Sequence, residues 1–455
     1  MALNVIILAA GKGTRMRSTT AKVLHTVAGQ SLIEHVLQTA YALNPTQLLV
    51  VHGNDAREIK EQCAAYPIEW VLQAEQCGTG HAVQQALPKI KAADNSQVLI
   101  LYADVPLLSS NTLSGLQGQL AEADLALLTM QVNDPTGYGR IVRDADSSVQ
   151  AIIEERDADS ATQQIKEVNT GIMVARLGAL REGLALLNND NAQAEFYLTD
   201  CVAAIKQQAK KITAISCPAE EAQGVNSRAQ LAMVEVHYQT RQRQQLLDSG
   251  ISMSDPATVY LQGEINIEAD VSIGPCVELI GPLSIAAGTH IASHTVISNS
   301  RIGQNTKIHS FCHIEDATIG DRCELGPYAR IRPQTELASD VKIGNFVETK
   351  KASIASGTKV NHLSYVGDAQ IGVNTNIGAG TICCNYDGAN KHQTIIGDNV
   401  FIGSDTQLVA PVEIENGATI AAGSTITKKV PADSLALSRA KQMIINAWQR
   451  PKKSK

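Results

Sequence analysis

The apolar run Val5–Ala10 leads straight into Gly11-Lys12-Gly13-Thr14-Arg15-Met16, with Lys22 shortly after. Glycines at 11 and 13 let the backbone turn sharply and present its N–H groups to a phosphate. Lys12, Arg15 and Lys22 add three cations beside that turn, suited to a triphosphate whose departing pyrophosphate must be neutralised. On its own, a Gly-x-Gly turn after a strand serves a purely structural purpose equally well. Two named phosphate loops are excluded: Met16 stands where the dinucleotide fingerprint needs its third glycine, and the Walker A spacing is absent. A second apolar run, Val98–Leu101, ends in Tyr102-Ala103-Asp104-Val105-Pro106. A carboxylate there lies at the carboxyl edge of a sheet, where open α/β folds bind ligands, and one carboxylate plus substrate phosphates is how Mg²⁺ is usually held. Asp104 also reads as a turn or helix-capping residue.

Further along, Arg332, Lys350, Lys351, His362, Tyr365, Asn376, Asn385, Tyr386 and Lys391 fall within about sixty residues of one another, an unusual density of polar function. A single histidine on a solvated face is ordinarily unremarkable, but imidazole titrates near neutral pH, where a general base can work.

Two kinds of architecture must position these groups. Up to about Arg228, short β-type runs (Val5–Ala10, Leu48–His52, Val98–Leu101, Leu125–Gln131, Gly171–Ala175) alternate with helix-length segments (Ser31–Leu43, Gly80–Leu87, Asp200–Lys210). That alternation predicts a mostly parallel, doubly wound α/β sheet over residues 1–228. Residues 229–249 have helical spacing, no proline, and are followed by Gly250, which predicts one linker helix.

From residue 250 the aliphatic period becomes six: Ile273, Leu279, Ile285, Ile291 and Ile297, then Ile302, Ile308 and Ile314, continuing to Ile426 with small residues often following each aliphatic. This is the hexapeptide repeat of a parallel β-helix, with inward aliphatics stacked in triangular coils. Steps of five residues, such as Ile297 to Ile302, are expected at corners, and Cys383–Thr394 is expected as an ejected loop. From about Lys441 the pattern gives way to a basic tail.

Composition fits this picture. The chain has 455 residues with 44% apolar and 18% charged, and only 4% aromatic, so its cores are built from small aliphatics. A net charge of −7 gives no electrostatic footprint for nucleic acid. No apolar run approaches bilayer length, and the opening residues lack a basic n-region. Nine cysteines without a Cys-x-x-Cys pair point to reduced thiols rather than disulfides or zinc. The expectation is a soluble cytoplasmic protein that binds neither nucleic acid nor membrane.

In order and spacing, LAAGKGTRM, Lys22 in AKVLHTVAG, QAEQCGTGHA (73–82) and YADVPL resemble the sugar-nucleotide pyrophosphorylases. Over essentially its whole length the chain resembles the bacterial family of bifunctional enzymes that are both N-acetylglucosamine-1-phosphate uridylyltransferase and glucosamine-1-phosphate N-acetyltransferase. The resemblance implies a Rossmann-like nucleotidyltransferase domain, the linker helix, and a left-handed parallel β-helix over 250–455 that carries the N-acetyltransferase. It implies that Leu8, Ala9, Ala10, Gly11, Gln73, Gly78 and Thr79 hold UTP, with Tyr102 and Ala103 lining the UDP-sugar site. Arg15 and Lys22 would act on the phosphates, and Asp104 with Asn226 would bind Mg²⁺. Gly139, Glu154 and Asn169 would hold the sugar; read alone, Glu154 is a solvated carboxylate. In the second half His362 would be the general base, with Glu348 orienting it. Arg332, Lys350, Tyr365, Asn376, Asn385 and Tyr386 would bind the acceptor, and Ala379, Ser404, Ala422 and Arg439 would bind acetyl-CoA. A homotrimer is likewise implied. Ala21 and Ala103 depart from the family's usual Pro and Gly, and altered loop stiffness is expected there without loss of activity.

Overall fold

The computed structural model describes residues 2–11, 13–54, 56–191 and 193–453. The chain packs as two units, Met1–Tyr238 and Gln239–Lys455.

In the first unit a mixed sheet runs in the order Ile212–Cys217, Leu125–Gln131, Glu167–Arg176, Gln97–Tyr102, Leu3–Leu8, Gln47–His52, Glu69–Leu72. Leu3–Leu8 is parallel to both of its neighbours and fully buried, as a near-continuous apolar run in a doubly covered sheet should be. The expected strand at Gly171–Ala175 is longer, and it is antiparallel to both Gln97–Tyr102 and Leu125–Gln131. Its run of buried apolar residues does not encode direction, which is why the sequence pattern alone read as parallel. Apolar clusters cover both faces of this sheet. Helix Leu32–Ala42 is fixed at its start by a capping box between Ser31 and Glu34.

Helix Arg228–Asp248 spans the boundary between the units. Val234 is buried with Met16, Val27 and Leu32 of the first unit. Toward its other end, Gln239 exchanges hydrogen bonds with the backbone of Leu261 at 2.6 and 3.0 Å, and Leu246 packs on the core of the second unit.

The second unit is a parallel β-helix with three faces. One face is an 11-stranded sheet, and the other two form a continuous 17-stranded sheet. The aliphatics spaced by six from Ile273 to Ile426 are all buried in one core cluster. The apparent gap between Ile343 and Ile354 is filled by Thr349, fully buried and hydrogen-bonded through its hydroxyl to Thr335 at 3.2 Å. Cys383 also points inward, in register with Leu408, so the expected ejected loop begins only after it. The short steps are absorbed at corners where Asn299 and Asp316 take positive φ, which these side chains tolerate. All nine cysteines are free thiols, six of them buried.

Candidate functional site

The first site forms at the carboxyl ends of the Leu3–Leu8 and Gln97–Tyr102 strands. A cleft of about 530 Å³ there is lined by Leu8, Ala9, Ala10, Gly11, Lys22, Gln73, Gly78, Thr79, Tyr102 and Asp104, bringing together most of the residues expected to hold a nucleotide. Gln73 is buried, and its amide donates to the Gly78 carbonyl at 3.0 Å, which braces the turn. Gly78 has φ 107°, and a methyl group there would stand 2.6 Å from the Phe196 carbonyl oxygen, so no other residue fits without rearrangement. The methyl of Ala103 is fully buried in the core, so the residue standing in place of glycine packs without strain. Gln76 and Glu195 border the same cleft, and Gln76 donates to the Ala10 carbonyl at 2.6 Å. Neither was singled out from sequence, although Gln76 lies within the QAEQCGTGHA segment.

At the cleft floor the Lys22 ammonium forms an ion pair with Asp104 and donates to Asn226 Oδ1 at 3.1 Å. Two hard oxygen donors thus converge on a cation, the chemistry that suits Mg²⁺. Among the described residues no group of three or more His, Cys, Asp or Glu side chains could enclose a metal, so further ligands would have to come from substrate phosphates and water. Arg15 is exposed on the short Thr14–Met16 turn, and Lys12 lies outside the described residues.

The residues expected to hold the sugar adjoin the cleft through Tyr102. Gly171, at φ 83°, leaves room for the Tyr102 ring, which a methyl group there would meet at 2.6 Å. Burial, with Asp104 nearby, pushes the Tyr102 hydroxyl far above its ordinary pKa. Asn169 donates its backbone N–H to the Gly139 carbonyl at 2.8 Å. A side chain at Gly139 would press on Ile152 and Glu154. Glu154 is not the solvated carboxylate it looks like in sequence: burial raises its pKa, and its Oε1 accepts from the Thr199 hydroxyl at 3.0 Å. Thr199 comes from 45 residues away, and no local signal reveals it.

The second site lies on the β-helix. His362 ends a strand on the 11-stranded face, in register with Asn345 of the coil before it. Its Nδ1 is 3.0 Å from Asn345 Oδ1. Glu348, expected to orient the imidazole, does not: it aligns with Tyr365 and pairs with Arg332 at 2.6 Å. A coil step here is 17 residues, so a carboxylate 14 residues back falls beyond the corner, on the next face. The pairing of Val360 with Ile377, then Ile402 and Ile420, places Ala379, Ser404 and Ala422 directly above His362 in successive coils. The neighbouring column is tight: a methyl group at Gly344 would stand 1.9 Å from the Asn361 carbonyl oxygen. Arg439 is exposed past the last strand, its Cδ 3.6 Å from a methyl group placed at Gly423.

Around the corner from His362, Lys350 is flanked by Lys391 and Arg332, whose charges lower its pKa. Asn385 is buried and donates to Asp368 Oδ2 at 2.5 Å and to the Tyr365 hydroxyl at 3.5 Å, which anchors the base of the ejected loop. Tyr386 is exposed, and an isolated bridge to Lys391 closes the loop. Asn376 is not with this group: it sits on the 11-stranded face between Lys359 and Phe401.

A lysine-lined cleft at the carboxyl edge of an α/β sheet, joined in one chain to a hexapeptide β-helix carrying an imidazole, points to a two-domain transferase. The family model of the MobA-like NTP transferase domain matches residues 5–168, and that of the bacterial transferase hexapeptide (six repeats) matches 299–333 and 393–428. The chain is 50% identical over 452 residues to the bifunctional protein GlmU of Cupriavidus pinatubonensis, covering 99% of each chain. It is 51% identical over 452 residues to that of Cupriavidus taiwanensis, again covering 99% of each, and 49% over 450 residues to that of Cellvibrio japonicus, with the same coverage. The chain belongs to the GlmU family, and it is a bifunctional uridylyltransferase and acetyltransferase.

Proposed function

We propose that the chain works as a cytoplasmic homotrimer that acetylates glucosamine-1-phosphate with acetyl-CoA and then transfers UMP from UTP to the N-acetylated product. UDP-N-acetylglucosamine and pyrophosphate are released, the former for peptidoglycan and lipopolysaccharide synthesis. Residues 1–228 are assigned the uridylyl transfer and 250–455 the acetyl transfer. Among the described residues no helix is long and apolar enough to cross a membrane.

The observation that carries this reading is the placement of an exposed imidazole at a β-helix corner between a cation cluster and a column of small residues. Arg332, Lys350 and Lys391 suit a sugar phosphate, and Ala379, Ser404 and Ala422 leave an open track for a long thioester. Asn345 Oδ1 accepts from His362 Nδ1–H, which leaves the Nε2 lone pair free to take a proton. The sugar amine attacks the thioester carbonyl, its proton passes to Nε2, and as the C–S bond breaks the imidazolium returns that proton to the sulfur, so coenzyme A departs as the thiol. Asn376, separated from Tyr365 by the corner, is consistent with a site completed by a neighbouring chain.

In the first unit Gln73, Gly78 and Thr79 hold the uridine, while Gly139, Glu154 and Asn169 hold the sugar across Tyr102. A phosphate oxygen of the sugar attacks the α-phosphorus in line, and pyrophosphate leaves. Arg15 and Lys22 draw charge away from the leaving group. Mg²⁺, held by Asp104 and Asn226, would supply electrostatic neutralisation of the phosphates.

Purified protein given glucosamine-1-phosphate, acetyl-CoA, UTP and Mg²⁺ should release both free coenzyme A and pyrophosphate. Pyrophosphate from added N-acetylglucosamine-1-phosphate with no coenzyme A release would reduce the β-helix to an assembly module and refute the acetyl-transfer assignment.

A further inference from the structure

The Lys22 ammonium occupies the point where Asp104 and Asn226 converge, paired with the carboxylate and 3.1 Å from Asn226 Oδ1. Both members of the ion pair are largely shielded from water, at 11% and 15% side-chain exposure. The stem of the lysine is fixed from the other side, because Gly13 crosses it so closely that a methyl group there would stand 2.6 Å from Lys22 Cβ. Asn226 is itself held, its backbone N–H donating to Gln230 at 2.8 Å, and Val225 donates to the Asp104 carbonyl at 2.9 Å. The main chain carrying both oxygens is therefore held in place, and the lysine is the longest side chain of the three.

A divalent ion bound by those oxygens would sit against the ammonium in a setting where water screens repulsion poorly. The two cations compete for one place. Lys22 also borders the nucleotide cleft beside Gly11, so its ammonium can reach an anion bound there without leaving the site.

We propose that Lys22 is a placeholder for the divalent cation. It holds Asp104 and Asn226 in the nucleotide-free protein and yields them when the phosphates of a nucleotide offer its charge another partner. The metal then enters with the nucleotide or after it, not before. This rests on Asp104 and Asn226 being the metal-binding residues.

The test is Mn²⁺ binding to the full chain without nucleotide, read from the electron paramagnetic resonance signal of the free ion. Wild type should bind Mn²⁺ at least about tenfold more weakly than Lys22→Met, a gap of about 1.4 kcal/mol. Lys22→Gln, which keeps a hydrogen-bonding group for Asp104, should also bind tightly and covers the case in which the methionine variant does not fold. Arg15→Met controls for the general loss of one positive charge and should bind as weakly as wild type. Equal affinity in wild type and Lys22→Gln, or an equal gain in Arg15→Met, overturns the placeholder. Adding Asp104→Ala to Lys22→Gln separates the two claims. If tight binding survives that change, the assignment of Asp104 to the metal is wrong; if it is lost, the assignment stands and the comparison with wild type judges Lys22 alone.

Discussion

Asn345 Oδ1 lies 3.0 Å from His362 Nδ1, one coil apart and in register on the same face of the β-helix. A neutral amide acceptor fixes the imidazole tautomer without adding a negative charge beside the base. Asn345→Ala should lower the turnover of acetyl transfer about 5- to 10-fold, the worth of one hydrogen bond, with KM for acetyl-CoA unchanged. Asn345→Asp should instead stabilise the imidazolium and move the acid limb of the rate profile to higher pH. His362→Ala should cost roughly 10²–10⁴-fold while leaving uridylyl transfer intact. Rate–pH profiles of the folded variants check all three, and a profile unmoved in Asn345→Asp would remove Asn345 from the site.

Glu154 carries a half-buried carboxylate whose pKa is raised by desolvation. A carboxylate with a raised folded-state pKa favours folding while protonated, and that contribution is lost as pH rises through the folded value. At neutral pH the ionised group therefore costs stability. Glu154→Gln, which can still accept from Thr199, should raise the melting temperature of the protein at pH 7 and narrow its gap to wild type near pH 4. It should also raise KM for the sugar phosphate in uridylyl transfer. A melting temperature lowered at pH 7 would show that the charge is compensated in the free protein.

Lys350 has its pKa lowered first by Lys391 and then by Arg332. Because the charged form is disfavoured, Lys350 loses its proton at lower pH than an ordinary lysine. The affinity for glucosamine-1-phosphate should therefore fall early on the alkaline side. Lys391→Met should raise KM for that substrate about 10- to 100-fold, as for one lost charge-assisted hydrogen bond, and should shift the alkaline limb upward. Measuring kcat/KM against pH in both proteins decides the matter, since an unshifted limb would mean that the two lysines do not share a phosphate.

Ala21 precedes the Lys22–Leu24 turn with φ −55°, inside the range that proline fixes. No backbone hydrogen bond is made by its N–H among the described residues. Ala21→Pro should therefore stabilise the protein by about 0.4–1 kcal/mol through the unfolded chain and leave turnover unchanged. Chemical denaturation measures the first and pyrophosphate release the second. A loss of activity would show that the loop needs freedom there for Lys22 to move.

The β-helix repeat was legible in the sequence because its rule is local. An aliphatic every sixth position is buried whatever lies elsewhere, and all the aliphatics so spaced from Ile273 onward lie in one core. The strand Leu3–Leu8 and the Asp104 edge position were legible for the same reason, since a strand and its exit are set by neighbouring residues. What the tertiary structure alone decided are relations between distant residues. Lys22 meets Asn226 across 204 positions, Glu154 finds Thr199 across 45, and the strand Glu167–Arg176 enters the sheet antiparallel. None of these leaves a local pattern, because hydrophobic burial specifies which residues turn inward and says nothing about which partner waits there. The exchange of Glu348 for Asn345 beside His362 has the same cause at shorter range: one coil takes 17 residues, and only the closed register of the strands sets that length.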